Sequence, residues 1–189
     1  MRCIKCAKIS LKIICKDCQR VLSEYEQGCR LVDGFKVYYF YKYSDIKEIL
    51  ATKHHLHGSF AIWHLCRISL AKFAKEFSFG SKVAVVPLDD NIKSGYSHTA
   101  ILARSLLNLE LFPIYRALRA TNDIKYAGKS LEFRRKNPRG FKLLKEIKTP
   151  VILVDDIITT GTSMLEAKKI LAKAGVNVLF GLVLADARE

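Results

Sequence analysis

One stretch narrows the possible folds more than any other: VILVDDIITTGTS, residues 151–163. Four apolar residues run into two carboxylates, Asp155 and Asp156. A series of small side chains follows, in which Thr159, Thr160, Thr162 and Ser163 surround Gly161. An unbroken apolar run suits a strand buried on both faces, as in parallel sheets covered by helices. The next segment, TSMLEAKKILAKAG, has helical periodicity and closes at Gly175. Strand, tight loop and helix therefore follow one another. The loop falls at the carboxyl end of a strand, where open α/β sheets bind their ligands.

The residue types in that loop specify a chemistry. Thr159 to Ser163 form a turn whose unencumbered backbone N–H groups converge on one spot. Gly161 permits close approach, the four hydroxyls add donors, and the helix N-terminus adds a partial positive charge. A monophosphate fits there. Asp155 and Asp156 would repel phosphate but accept hydrogen bonds from a pair of vicinal hydroxyls. Together they describe a site for ribose 5-phosphate. A strand that merely ended in an acidic helix cap would need neither four hydroxyls nor the glycine.

The rest of the chain supports an α/β architecture. FKVYYFYKYS (35–44) reads as a strand or hairpin arm, and a short helix capped by Ser44 follows over 44–53. Residues 59–77 place Phe60, Trp63, Leu65, Ile68, Ala71 and Phe73 at helical spacing, which predicts one long amphipathic helix with Trp63 in the core. KVAVVP (82–87) is a buried strand, Ser97 caps a helix over HTAILARSLLNL, and ELFPIYRAL is a strand interrupted by proline. Residues 119–138 lack apolar periodicity and read as a mobile basic loop. NVLFGLVLA is a last buried strand. Strands alternating with helices indicate a parallel sheet.

The first eighteen residues, MRCIKCAKISLKIICKDC, carry a different signal. Cys3 and Cys6 form one C-x-x-C pair, Cys15 and Cys18 another. Either pair alone would suit a redox motif, but no strand–helix pattern surrounds them. Two such turns complete a tetrahedral thiolate shell, which favours a structural zinc ion with no ligand position left open. Lys5, Lys8, Lys12 and Lys16 offset the charge of that centre and can also face an acidic partner. Cys66 reads as a buried core thiol. His54, His55 and His57 cluster without an accompanying carboxylate or cysteine, so a polar loop or an anion contact is expected there. The domain organisation is then a zinc segment over 1–32 and an α/β domain over 33–189.

Charge is distributed unevenly. The chain has 32 Lys and Arg against 18 Asp and Glu, a net +14. Residues 1–20 hold six basic residues and one acid, residues 116–148 eleven and three; these segments supply thirteen of the fourteen charges. Such a field attracts polyanions, although a solvated basic face would have the same composition. No apolar run approaches the roughly 20 residues of a spanning helix, and the N-terminus lacks the apolar core of a signal peptide. A cytoplasmic location is the expectation.

The 151–163 stretch resembles the 5-phosphoribosyl-1-pyrophosphate (PRPP) motif of type I phosphoribosyltransferases across its whole length. With the zinc segment ahead of it, the chain resembles the ComF-family competence proteins, a phosphoribosyltransferase-like domain fused to an N-terminal zinc finger. Other matching positions are Tyr43 leading to Lys53 and Gly58, VPL (86–88) leading to SGYSHTA (94–100), and RRKNPRGF (134–141). Ser94 and Ser97 stand where the family has arginine and asparagine, and Lys93 sits beside them.

The resemblance implies a type I phosphoribosyltransferase-like parallel sheet flanked by helices, carrying a small four-cysteine zinc finger. It implies PRPP binding, with Mg²⁺, by Asp155, Asp156, Thr159, Thr160, Gly161, Thr162 and Ser163. Lys93, Arg119, Arg134 and Arg135 are candidates for the pyrophosphate, and Arg134, Arg135, Lys136 and Arg139 for DNA. The zinc ligands are Cys3, Cys6, Cys15 and Cys18. No catalytic residue is assigned. Tyr126, Phe133 and Phe141 are either stacking rings for single strands or core residues. Three functions are compatible with these residues. One is a competence factor that binds PRPP and single-stranded DNA and aids DNA uptake, with other uptake proteins at the inner face of the membrane as partners. Another is an active phosphoribosyltransferase on an unidentified acceptor. The third is a PRPP-sensing nucleic-acid regulator.

Overall fold

A computed structural model of the chain describes residues 1–88, 92, 95–122 and 131–188. Its elements, in order, are α1 (Lys16–Ser23), β1 (Gly28–Val32), β2 (Phe35–Lys42), α2 (Tyr43–Ala51), a 3-10 turn (Thr52–His54), α3 (Gly58–Ile68), α4 (Leu70–Glu76) and β3 (Val83–Pro87). They continue with α5 (His98–Ser105), β4 (Leu111–Pro113), β5 (Leu118–Ala120), α6 (Leu131–Lys136), β6 (Phe141–Leu143), β7 (Val151–Ile158), α7 (Thr162–Lys173) and β8 (Val178–Asp186). Six strands form one sheet in the order β1-β2-β8-β7-β3-β4. All neighbours are parallel except the β1–β2 hairpin at one edge. This is a mixed α/β fold with a mostly parallel sheet.

Side-chain alternation sends the central strands into two cores. Val85, Ile152, Val154, Leu182 and Leu184 pack beneath α2, α3, α4 and α5. Ala84, Val86, Val151, Leu153 and Val183 face α7 and the β5–β6 arm. Both faces of β7 are therefore apolar until the chain reaches Asp155, which explains its uninterrupted run. A separate two-stranded antiparallel ladder, β5 with β6, stands outside the main sheet. Leu118–Ala120, at the end of the segment expected to continue one interrupted strand, belongs to this ladder. Among the described residues, no helix is long and apolar enough to cross a membrane.

Two other expectations change. The helix predicted over 59–77 breaks at Ser69 (φ −117°, ψ −79°), whose hydroxyl donates to the Leu65 carbonyl at 2.8 Å. The buried stripe nevertheless runs through Ser69 in one phase, and Phe60 and Trp63 fall outside it. Ala61, Ile62, Leu65 and Cys66 of α3 and Leu70, Phe73 and Ala74 of α4 are buried, whereas Trp63 is 51% and Phe60 66% exposed. Ser44 lies inside α2 rather than capping it, since the helix begins at Tyr43 and Lys42 holds the cap position without a side-chain bond. Ser97 does cap α5, accepting from the Ala100 N–H at 3.1 Å.

The N-terminal cysteine segment is joined to the α/β body through a shared core. Cys3, Ile14 and Leu22 are buried with Ala61, Leu65 and Phe40, and the Tyr41 hydroxyl donates to the Leu22 carbonyl at 2.8 Å. Residues 28–32, counted with the zinc segment from sequence, form the edge strand of the sheet, and a buried ion pair ties them down. The Arg30 guanidinium lies 2.9 Å from Asp186, with side-chain exposures of 9% and 3%.

Candidate functional site

Asp155 and Asp156 stand at the carboxyl end of β7. Alternation continues the row of Ile152 and Val154 into Asp156, and the row of Val151 and Leu153 into Asp155. Asp156 is 4% exposed. Its carboxylate accepts from the Lys53 ammonium at 2.6 Å, and the His98 Nε2 lies 3.7 Å away. Lys53 comes from the 3-10 turn after α2, and His98 opens α5, so three separate elements converge on one carboxylate. The Tyr96 hydroxyl donates to the Lys53 carbonyl at 2.8 Å, which fixes the turn that presents the lysine.

The two acids are electrostatically unequal. Burial opposes ionisation of Asp156, but Lys53 and then His98 outweigh it and hold the carboxyl down to about 2. Asp155 is pushed well above the usual carboxylate range by burial and by the charge of Asp156. The Asp156 N–H, which donates to Asp155 at 2.9 Å, and the cations Lys53 and Arg139 work in the opposite direction. Burial works against the Lys53 charge as well, yet Asp156 raises the ammonium's pKa. One acid is thus a fixed anion paired to a cation, and its neighbour takes up a proton readily. Two like charges at one strand end separate in this way when a single cation serves one of them.

The loop beyond them is compact. Gly161 adopts φ +78°, and a Cβ at that position would lie 2.5 Å from the Val32 Cγ1, so both backbone and space call for glycine. The Thr160 and Thr162 hydroxyls are 2.8 Å apart, and Thr162 begins α7. The amides and hydroxyls of 159–163 therefore gather at a helix N-terminus next to the acid pair. That set of donors suits a phosphate.

A third contact organises the basic arm. The Glu166 carboxylate, on α7, accepts from three consecutive backbone N–H groups: Arg139 at 2.8 Å, Gly140 at 2.7 Å and Phe141 at 3.1 Å. It fastens the start of β6 to the helix that carries the phosphate loop. Arg139 is thereby held where its charge reaches Asp155. Phe141 is buried in the core, so it is no stacking ring. Arg119 lies on β5 with its side chain exposed, and Arg134, Arg135 and Lys136 belong to α6, where Lys136 pairs with Glu132 at 2.8 Å. Lys93 and Tyr126 lie outside the described residues, as do the side chains of Arg134 and Arg135.

The four N-terminal cysteines converge. The Sγ atoms of Cys3, Cys6, Cys15 and Cys18 all lie within 4.8 Å of one another. The Cys15 N–H donates to the Cys3 Sγ at 3.3 Å, and the Ala7 N–H to the Cys3 carbonyl at 2.9 Å, which closes the first turn. Burial disfavours the Cys3 thiolate, but amide donors from Cys15, Cys6 and Lys5 prevail and bring its pKa to about 6. Burial and then the neighbouring sulfurs push Cys18 the other way. Four soft donors this close can hold a metal ion such as zinc, and a divalent cation would relieve the crowding of thiolates. His98, Asp155 and Asp156 also bring ligand atoms within 4.8 Å of one another. The two carboxylates suit a hard cation such as Mg²⁺, and the imidazole suits it less.

Lys53 and His98 have no role legible in the sequence beyond their place in matching motifs, and Glu166 has none at all. A lone acid inside a helix has no local signature. Its partners are 25 to 27 residues away in the chain.

No family model matches the sequence. Two orotate phosphoribosyltransferases from strains of Leptospira biflexa serovar Patoc are 49% identical to it over 45 residues, 24% of this chain and 24% of theirs. The chain thus matches about a quarter of the length of these curated relatives. Among solved structures, orotate phosphoribosyltransferase from Aeropyrum pernix aligns with TM-score 0.42 at 19% identity, over 90% of this chain and 80% of that one. Adenine phosphoribosyltransferase from Saccharomyces cerevisiae aligns with TM-score 0.42 at 16% identity, over 90% and 89%. A hypoxanthine phosphoribosyltransferase from Staphylococcus aureus aligns with TM-score 0.41 at 18% identity, over 66% and 62%.

Proposed function

We propose that the chain is a PRPP-binding competence factor of the ComF type, which holds PRPP at the β7–α7 loop, binds single-stranded DNA and aids its uptake into the cytoplasm. The observation that carries the PRPP reading is the juxtaposition of an acid pair, Asp155 and Asp156, with a hydroxyl-rich loop at the N-terminus of α7. The loop takes the 5-phosphate through its amides and hydroxyls. The acids take the ribose hydroxyls, and the ionised Asp156 is the stronger acceptor of the two. Mg²⁺ would arrive with the pyrophosphate, and Asp155 and Asp156 are the residues that would hold it; its charge offsets that of the leaving group. Arg139, with Lys93, Arg119, Arg134 and Arg135, supplies positive charge on the pyrophosphate side. The thiolate cluster holds zinc as a structural clip.

The local 49% identity to orotate phosphoribosyltransferases favours a second reading, transfer of ribose 5-phosphate from PRPP to an unidentified acceptor. The two readings share the site and differ in whether pyrophosphate is released.

Calorimetric titration with PRPP and Mg²⁺ tests the shared part. Asp155→Ala with Asp156→Ala, and separately Thr160→Val, should each weaken binding at least tenfold, as the loss of one charge-assisted hydrogen bond of about 1.5–3 kcal/mol requires. Unchanged affinity in both variants would put the ligand elsewhere. Pyrophosphate release in the presence of a panel of acceptors then separates the two readings.

A further inference from the structure

The helix α3 presents an unusual surface. Phe60 is 66% exposed and Trp63 51% exposed, and Leu56, in the turn that leads into α3, is 66% exposed. Arg67 lies on the same face as Trp63, its guanidinium 5.5 Å from the centre of the Trp63 ring. Positions 60, 63 and 67 of α3 follow the three-and-four spacing of one helical stripe, so these side chains are neighbours. A surface helix ordinarily turns such a stripe inward. Here the inward face is already filled by Ala61, Ile62, Leu65 and Cys66.

The surroundings are cationic. Between Glu48 and Glu76 the chain has no acid, and the same interval holds Arg67, Lys72 and Lys75 besides Lys53, which is paired to Asp156. The N-terminal segment, with Arg2, Lys5, Lys8, Lys12, Lys16 and Arg20, packs against α3, as the shared burial of Cys3, Ile14 and Leu22 with Ala61 and Leu65 requires. Lys12 comes close enough to act on His64. Burial lowers the pKa of that imidazole first, and Arg67 and Lys12 lower it further.

We propose that this face of α3 is a stacking site for single-stranded nucleic acid, in which Phe60 and Trp63 take bases on their rings while Arg67 and the lysines of the cysteine segment, Lys12 foremost, neutralise the flanking phosphates. Exposed aromatics set in a cationic field are what a single strand requires, because its bases offer free π-faces and its backbone is a polyanion. A duplex hides those faces. The site is distinct from the basic arm at 134–139 and sits on a rigid helix. It adds a location to the DNA-binding reading above and can fail without it.

Trp63 is the only tryptophan in the chain, so its fluorescence reports directly on this face. The zinc-loaded full chain is titrated with oligo-dT, oligo-rU and a duplex of equal length at low salt. Saturable quenching by the single strands and little by the duplex is expected. Trp63→Ala should weaken oligonucleotide binding, followed by anisotropy of a labelled strand, by about 5- to 150-fold, and Trp63→Phe should recover most of it. Circular dichroism and PRPP titration of Trp63→Ala should match the wild type, since the ring is half exposed and lies outside the β7–α7 loop and its acid pair.

Several results would overturn the proposal. Oligonucleotide binding that survives Phe60→Ala with Trp63→Ala but is lost on reversing residues 134–136 to Glu removes this site and leaves the basic arm. Quenching by phosphatidylserine vesicles but not by oligonucleotides makes the face a membrane contact. A wild-type dimer that Trp63→Ala converts to monomer makes it an interface between copies. Absence of any oligonucleotide binding removes both this site and the DNA-binding reading.

Discussion

The Lys53 ammonium lies 2.6 Å from the Asp156 carboxylate across 103 residues of sequence, and this pair sets the charge state of the candidate site. Lys53 is 26% and Asp156 6% exposed at the side chain. The folded-state pKa of Asp156, about 2, lies below the roughly 3.9 of an unfolded aspartate. A depressed carboxyl stabilises the fold above its unfolded pKa and loses that contribution as pH falls through the folded one. The contribution, on the order of 2 kcal/mol, should therefore be complete above about pH 5 and vanish between pH 4 and pH 2. Asp156→Asn should lower stability to chemical denaturation by about that amount at pH 7. The gap between variant and wild type should close in acid, and parallel stability curves from pH 7 to pH 2 would contradict the pairing.

Asp155 should behave in the opposite sense. Its carboxyl is raised by burial and by Asp156, so the ionised form is disfavoured in the fold and costs stability as pH rises through its folded pKa. Asp155→Asn should be neutral or stabilising at pH 7 without ligand, and weaker in binding PRPP. Thermal denaturation with and without PRPP and Mg²⁺ separates the two effects. Equal destabilisation by Asp155→Asn and Asp156→Asn in the ligand-free protein would mean that the acids are equivalent.

These asymmetries mark where sequence reasoning stops. The stretch 151–163 is legible because each feature is local: an apolar run of strand length, a glycine where the chain turns left-handed, and hydroxyls at the start of a helix. The cysteine pairs are legible for the same reason. Trp63 is exposed against expectation because the face that is buried carries small or polar residues, Ala61, Cys66 and Ser69, beside Ile62, Leu65, Leu70 and Phe73, and so is less conspicuous than the aromatics. That face keeps one helical phase through Ser69, whose hydroxyl returns to the Leu65 carbonyl, and the large aromatics Phe60 and Trp63 lie off it. Leu118–Ala120 looks like the tail of one interrupted strand because a three-residue ladder in a basic segment has no pattern of its own. Lys53, His98 and Glu166 act through tertiary contacts, so their types are visible in the sequence and their partners are not.

Gly161 should tolerate no side chain. At φ +78° an L-residue costs about 1–2 kcal/mol, and the added carbon would also meet Val32. Gly161→Ala should destabilise the protein by at least that amount and weaken PRPP binding more than tenfold. Val32→Ala in the same chain removes the steric conflict but not the backbone one, so it should restore part of the stability. Full recovery in the double variant would show that space alone selects the glycine.

The Glu166 carboxylate should act as a staple. Glu166→Ala leaves the Arg139, Gly140 and Phe141 amides without their acceptor, at about 1.5–3 kcal/mol for hydrogen bonds to a charged group. Hydrogen exchange should accelerate at residues 139–141 while β7 and β8 stay protected, and Arg139 should lose its hold near Asp155. Glu166→Gln, which keeps one acceptor oxygen, should give an intermediate rate. Unchanged exchange at these amides would show that β5 alone keeps the arm in place.

The N-terminal clip should hold zinc and depend on it. Four Sγ atoms within 4.8 Å of one another are poorly placed as free thiols and well placed as a tetrahedral shell. Cys15→Ser with Cys18→Ser should release one equivalent of metal per chain by elemental analysis. It should also loosen α1, because Cys15 holds the position ahead of that helix and Cys18 lies in its first turn. Leu22 and Ile14 would then lose their burial against α3, and Val21, already exposed, would leave with them. The other face of the sheet is covered by α7 and the β5–β6 arm, which the cysteine segment does not touch, so the central β-strands should keep their exchange protection. If the α3 face binds single strands, the same variant should also lower oligonucleotide affinity, since Lys12 and its neighbours would no longer be held against α3. Retention of metal by the double variant, or a wild type that carries none, would remove the zinc assignment. Loss of metal with unaltered α1 protection would show that the hydrophobic contacts of Ile14 and Leu22 suffice to hold the segment.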